Sequence, residues 1–257
     1  MLKHFKTIAL IACVASSGLA LNACSSSSKS QIYAGDIEIS DPMEETNRSV
    51  FAFNAAVDDT IINPIIKGYR YATPEYARDG LGNFLQNLKT PVSMGNNLLQ
   101  GDLPGVGNNF VRASINTLLG LGGLVDLASI EGIEADSEDF GQTLAIWGAG
   151  HGPYMVAPLF GGASVRDHTG FLVDSVADPL NLYLGNIDEM HLAYQRSGLS
   201  YLDLRDNLYD VLAELEKSSI DYYATVRSAY YQNREAAVED QKTSEAKDYD
   251  LPDFDEF

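Results

Sequence analysis

Asp41-Pro42-Met43-Glu44-Glu45-Thr46-Asn47-Arg48-Ser49-Val50-Phe51-Ala52-Phe53-Asn54 opens the foldable part of this 257-residue chain. Its chemistry is that of a helix start. Asp41 is expected to cap, Pro42 suits the first helical position, and Glu44 is placed to return a bond to the cap backbone. Val50, Phe51, Asn54, Val57 and Ile61 then recur on one face, and Pro64 is expected to end the run. Far down the chain, Leu204, Leu208, Val211, Leu212, Leu215, Ile220, Tyr223, Val226 and Tyr230 fit one long amphipathic helix. No alternating run of five or more residues marks a strand. The expected fold class is all-α.

The N-terminal side is not part of that body. Lys3 and Lys6 precede an apolar run over residues 7–21, too short and too rich in small residues for a spanning helix. Residues 1–23 read as a secretory signal peptide. The run ends in Leu21-Asn22-Ala23-Cys24, which resembles a bacterial lipobox, so Cys24 is expected to be acylated and to become the mature N-terminus. Cys13 leaves with the signal, and acylation removes the one remaining thiol from an oxidising compartment. Ser25 stands where an Asp would hold a lipoprotein at the inner membrane of well-studied Gram-negative systems, which favours the outer membrane. Residues 24–40 read as a lipidated tether reaching roughly 50 Å if extended. Residues 238–257, with eight acids against Lys242 and Lys247, read as a solvated acidic tail. That leaves 41–237 as the folded domain.

Composition narrows the function. At 45% hydrophobic and 21% charged residues, the chain has enough apolar matter for one core, which excludes a disordered protein. A net charge of −19 argues against nucleic acid and against attachment to anionic lipid by charge alone. Within the body the charges are unevenly spread. Segments 90–101, 103–111 and 113–125 hold no Asp, Glu, Lys or Arg, and neither does 140–165, where His151 is the one side chain that ordinarily titrates near neutral pH. Six glycines together with Pro153 and Pro158 keep the last of these from being an ordinary membrane-spanning helix. Two readings remain open: a buried core with loops, or apolar surface facing lipid or lining a lipid-sized passage.

A search for catalytic chemistry returns little. There is no His-Glu-x-x-His, no Cys-x-x-Cys and no phosphate-binding Gly-x-x-x-x-Gly-Lys-Ser/Thr. Gly162-Ala163-Ser164-Val165-Arg166 lacks the final glycine of a nucleophile elbow. Ser164, His168 and Asp174 are close in sequence but are common residue types. Arg166-Asp167 and Asp126 read as structural ion pairs or caps. No catalytic residue, metal site or cofactor is expected.

The opening segment also resembles the signature of the MlaA (VacJ) family of outer-membrane lipoproteins, and further matches follow in order. They include Asn83-Phe84 before Asn87-Leu88, Leu99-Gln100-Gly101, the Asn116–Gly123 run with Asp126 behind it, and Asp139-Phe140-Gly141-Gln142-Thr143-Leu144. Gly152-Pro153-Tyr154, Pro158-Leu159-Phe160-Gly161, Arg166-Asp167 and Val226-Arg227-Ser228-Ala229-Tyr230-Tyr231-Gln232 complete the series.

The resemblance implies a helical, ring-shaped domain around an amphipathic channel, on the periplasmic face of the outer membrane. Such a protein removes mislocalised phospholipids from the outer leaflet, sits beside trimeric porins and passes lipid to a soluble periplasmic carrier. On the same basis Cys24 carries the anchor. Asp41, Pro42, Asn47, Arg48, Phe51, Phe53 and Asn54 form an interfacial first helix, and Gly148, Gly150 and Gly152 lie in a channel-bordering glycine hairpin. Arg48 has two expected uses, a phosphate contact or a helix-surface pair with Glu44 or Glu45. The alternative function is a structural lipoprotein that scaffolds porins without moving lipid.

Overall fold

The computed structural model describes residues 32–34 and 37–244, with side chains over 39–239. The anchor Cys24, most of the tether and the end of the acidic tail lie outside these residues. Helices dominate what is described, and the fold is all-α. Two hairpins are added to it. β1 (Ile32–Ala34) pairs with β2 (Ile37–Ile39), and β3 (Tyr154–Ala157) pairs with β4 (Gly161–Ser164), both antiparallel. With three or four residues per strand, neither is long enough to show alternation in the sequence.

Helix α1 (Glu44–Val57) begins at Glu44, not beside Asp41, and Met43 at its N-cap makes no side-chain cap bond. The expected capping role of Asp41 is therefore overturned. Its carboxylate is taken by long-range partners: it accepts from Asn47 Nδ2 at 2.8 Å, from the Tyr223 hydroxyl and from Arg227. Nor does Pro64 end the run. The chain widens into a π-helical turn over Asp58–Ile62 and continues as α2 (Asn63–Ala72), with Pro64 in its first turn, where a missing N–H leaves no bond unmade.

Helices α3 (Glu75–Gln100) and α4 (Leu103–Leu118) pack along one another, joined at Gly101 and at Asp102, which caps α4 through the Gly105 N–H. Asp126, Asp139, Ser164 and Asp178 cap, in turn, α5 (Leu127–Ile130), α6 (Phe140–Ile146), α7 (Val165–Ala177) and α8 (Pro179–Asn186).

The expected long C-terminal helix is two. Helix α9 (Met190–Ser218) ends where Ser219 turns extended, and Asp221 accepts from the Ala224 N–H at the start of α10 (Tyr222–Ser244). Val238 is buried and α10 runs on to Ser244, so the boundary drawn at 237 falls inside the last helix.

The apolar core is small and aromatic. Ile39, Tyr154, Val156, Tyr223 and Tyr231 are buried together, with Val50, Phe51 and Tyr230 packed against them. Into this cluster α1 is stitched by two amides. Asn47 donates to the Tyr154 carbonyl and accepts from the Val156 N–H, both at 3.0 Å. Asn54 donates to the Ala157 carbonyl at 3.0 Å and accepts from the Leu159 N–H at 2.9 Å. Each amide thus does for β3 what a neighbouring strand would do. The spacing explains why this works. Asn47 and Asn54 lie two helical turns apart, about 10 Å along the axis, and three strand residues advance about 10 Å.

Removing either amide leaves strand groups unpaired. Asn47→Ala, at a fully buried site, is expected to destabilise the protein by about 3 kcal/mol, and the half-buried Asn54→Ala by about 1 kcal/mol. Urea unfolding followed by circular dichroism measures both, and equal losses would contradict the stitching account.

Candidate functional site: a polar cavity and an exposed apolar surface

The charge-poor helices are amphipathic in the reverse of the usual sense. In the second half of α3 the buried positions include Ser93, Asn96, Asn97 and Gln100, while Leu98 and Leu99 are exposed. In α4 the buried stripe is Gly105, Asn109, Arg112 and Asn116, spaced as one helical face, with Leu103, Phe110 and Leu118 exposed. A helix of a water-soluble domain buries its apolar stripe instead.

The buried amides are satisfied by one another and by carboxylates. Asn97 donates to Asp102 and Asp136 and accepts from Asn109 at 2.9 Å. Gln100 reaches Glu138 at 2.9 Å and Thr143 at 3.1 Å, and Thr143 in turn donates to Asn96. Arg112 forks onto Asp126 at 2.9 and 3.1 Å and donates to the Ile133 carbonyl. Burial pushes the Asp126 carboxyl up, but hydrogen bonds from Ser129, Asn116 and Arg112 outweigh that and hold it at about 2.

Beside this network lies a cavity of about 390 Å³. Its walls come from α3 (Gly82, Asn83, Gln86), α4 (Asn109, Asn116), the segment before α6, and α9 (Asp203, Asn207). A second space, a groove of about 290 Å³, lies between α1, the π turn, the β3–β4 turn, α9 and α10. Phe51, Leu159, Phe160, Leu204 and Leu208 line it, with the Arg205–Asp58 pair at 3.0 Å on its wall. Helix α9 separates the two spaces, presenting Asp203, Asp206 and Asn207 to the first and Leu204, Leu208 and Leu212 to the second.

The exposed apolar surface bears on the two readings of the charge-free segments. Leu118, Leu119 and Leu121 are 70% exposed or more, and Phe160 is 74% exposed. Leu124, Trp147, Leu159, Phe171, Leu172 and Val176 add to this surface. A monomer in water rarely leaves so many large side chains uncovered. Among the described residues no helix is long and apolar enough to cross a membrane.

The signature residues of α1 divide. Asp41, Asn47 and Asn54 hold the fold as described, and Phe51 stacks edge-on against Tyr222 at 5.1 Å and Tyr223 at 5.4 Å. Arg48 is engaged within the chain, pairing with Glu44 at 2.8 Å and forking onto Asp221 at 2.6 and 3.0 Å, over the Tyr223 ring. Its hydrogen bonds hold the Asp221 carboxyl low. Pro42 and Phe53 face outward.

Gly148, Gly150 and Gly152 lie in the loop before β3 and do not form the hairpin; none of them lines either cavity. Gly148 and Gly152 have φ of +91° and +67°, a backbone that favours glycine, whereas Gly150 has an ordinary φ and open space around a would-be Cβ.

The residues weighed for catalysis do not converge. Ser164 caps α7, His168 bonds the Met155 carbonyl, and Asp174 holds Asn96 and the Phe140 N–H. Arg166-Asp167 is a buried pair at 2.9 Å that also engages Tyr230 and Arg234, and Asp126 is a cap and ion pair, as expected for both. No group of three or more His, Cys, Asp or Glu that could hold a metal occurs among the described residues.

What the sequence reading missed is the cavity lining on α3, α4 and α9. Its signal was present as Asn and Arg at helical spacing (109, 112, 116) around otherwise charge-free runs.

Because the Asp126 carboxyl is depressed in the folded state, it stabilises the fold above the ordinary carboxylate range, and this is lost as pH falls from about 4 towards 2. Asp126→Asn is expected to cost about 2 kcal/mol at pH 7, with the gap to wild type closing over that window. Urea midpoints of both proteins across pH 2–7 measure it, and a gap independent of pH would refute it.

The MlaA lipoprotein family model matches residues 39–237. The intermembrane phospholipid transport system lipoprotein MlaA of Escherichia coli is 34% identical over 200 residues, covering 76% of this chain and 77% of that protein. Its Haemophilus influenzae counterpart is 34% identical over 242 residues, covering 92% and 93%. A Rickettsia prowazekii protein is 37% identical over 207 residues, covering 80% of each. A solved structure from work on the structural basis for maintenance of bacterial outer membrane lipid asymmetry is similar at a TM-score of 0.67 and 34% identity, covering 77% of this chain and 99% of that one. The chain belongs to the MlaA lipoprotein family.

Proposed function

We infer that this chain moves phospholipid between the leaflets and faces of the outer membrane, anchored there by acylated Cys24. In this reading the exposed leucines and phenylalanines sit among the acyl chains of the periplasmic-side leaflet. The polar cavity carries the headgroup of a phospholipid that has strayed into the outer leaflet. A soluble periplasmic carrier receives the lipid, and trimeric porins hold the protein in place. The names of the Escherichia coli and Haemophilus influenzae relatives, both phospholipid transport lipoproteins, support the substrate class.

The observation that carries the reading is the inversion itself: amides and ion pairs inside, large apolar side chains outside. Two acyl chains of about 16 carbons brought into water would cost on the order of 25 kcal/mol. A charged headgroup drawn through hydrocarbon is also expensive. Apolar side chains beside a polar cavity lower both barriers, because tails stay in lipid while the headgroup exchanges water for amides. The sequence holds no nucleotide-binding motif, so net direction comes from partners or from the lipid gradient.

The glycine loop over 147–153 is proposed as a hinge for the same passage. Gly150, with open space around it, is where a valine should fold normally and stiffen the loop.

The test is outer-leaflet phospholipid in cells making wild-type chain, no chain, Gln86→Trp or Gly150→Val, at matched protein levels. Surface phospholipid is expected to rise without the chain and to rise equally with Gln86→Trp, which fills the cavity, while Gly150→Val gives a partial rise. If the strain without the chain matches wild type under outer-membrane stress, transport is refuted and a porin-bound scaffold becomes the better account.

A further inference from the structure

The charge on the cavity wall is not balanced. Five carboxylates line the cavity against three cations, and the arginines are already engaged. Arg78 pairs with Asp206, which also takes Arg70 from outside the cavity. Arg112 is forked onto Asp126. Those pairs leave Lys89 as the one lining cation for which no ion pair is found among the described residues, while Asp79 and Asp203 have no cationic partner there either.

Asp203 is half-buried and its side chain receives one long hydrogen bond, from Asn207 at 3.4 Å. It lies tight against α3, since a Cβ at Gly82 would stand 2.8 Å from its Oδ1. Burial pushes its carboxyl up, and the negative charges of Asp206 and Asp79 push it further. Amides make up much of the remaining wall: Asn83, Gln86 and Asn87 from α3, with Asn109 and Asn116 of α4, whose side chains are already bonded to Asn97 and Asp126.

We propose that this cavity discriminates among phospholipids by headgroup charge, admitting zwitterionic, ammonium-bearing headgroups and repelling net-anionic ones, with Asp79 and Asp203 as the selecting residues. The proposal rests on the reading of the cavity as the headgroup route. An amide meets the phosphate of either lipid class alike, so the amides make no selection. The two carboxylates line the same space from α3 and α9, and like charges gathered in one cleft raise the local concentration of cationic groups. An ammonium group meets that field favourably. A lipid whose only headgroup charge is its phosphate does not.

The test presents the full-length lipidated protein, in detergent, with equimolar phosphatidylethanolamine and phosphatidylglycerol of identical acyl chains, and reads the retained lipid by native mass spectrometry. Wild type is expected to retain phosphatidylethanolamine in excess, on the order of tenfold. The Asp79→Asn/Asp203→Asn double variant should bring the ratio close to one with its circular dichroism unchanged. Glu214→Gln, which removes the same charge from an exposed site on α9 outside both cavities, should leave the wild-type ratio intact.

Equal retention of the two lipids by wild type would overturn the selection and leave the transport reading standing. So would a ratio that Glu214→Gln lowers as much as the double variant does. A preference for phosphatidylglycerol that appears with Mg²⁺ and vanishes with EDTA would assign the carboxylates to a free cation, and would also overturn it. Retention of neither lipid would overturn the proposal together with the headgroup route, while the surface-phospholipid measurement would still judge transport.

Discussion

The architecture depends on one buried ion pair. The Asp41 side chain is fully buried, and the Arg227 side chain that meets it is 3% exposed. The same carboxylate takes Asn47 from α1 and the Tyr223 hydroxyl from α10, so one group ties the start of the domain to its last helix. Burying a charge is unfavourable unless it is paired and hydrogen-bonded, and removing one partner of such a pair typically costs 3–5 kcal/mol. Everything stitched to α1, including the β3–β4 hairpin and the groove beneath its turn, takes its position from that contact.

A second constraint concerns solvent. Helix α3 is 26 residues long, about 39 Å, enough to cross a bilayer by length alone. It does not do so because Asn83, Asn87, Asn96 and Asn97 give it a polar face along much of its length. In water that face would point out and the leucines in. Here the amides face one another across α3, α4 and α6, and the leucines face out. The arrangement is stable where the surroundings are hydrocarbon and the interior is wet, since an amide that has partners and a leucine among acyl chains are then both satisfied.

The middle helices, in a run poor in charge, were not marked out one by one, whereas the first helix and the C-terminal helical run were legible in the sequence because their apolar periodicity is local. Asp126 and the Arg166-Asp167 pair were read correctly for the same reason. Asp41 was misread as a cap because its partners, Tyr223 and Arg227, lie at the far end of the chain, and nothing local marks them. The π turn escaped because a proline inside a periodic run ordinarily means a stop. The β3–β4 hairpin escaped because its strands are short and part of its hydrogen bonding is supplied by Asn47 and Asn54, side chains on a helix. The break at Ser219–Asp221 hides inside an apolar period that continues in phase across it. Charge depletion told that a segment is unusual but not which way it faces. Only the placement of the buried amides settles that, since a run of Leu and Asn without charges fits a core and a lipid-facing surface equally well.

The separation of the two spaces by α9 bears on how a lipid would be handled. A phospholipid is a charged group joined to two greasy chains, and no single uniform pocket suits both parts. Helix α9 carries Asp203, Asp206 and Asn207 on one side and Leu204, Leu208 and Leu212 on the other, so polar and apolar surface lie one helix width apart. A helix does this within about three turns because successive side chains are swept round by about 100°. The helix is held in register by Asp206, which is buried and takes both Arg70 of α2 and Arg78 of α3. The ion pair that keeps the partition in place is thus also part of the cavity wall. Any change that loosened it would alter the polar space and the apolar groove together, which couples the shape of one to the shape of the other without any moving part between them.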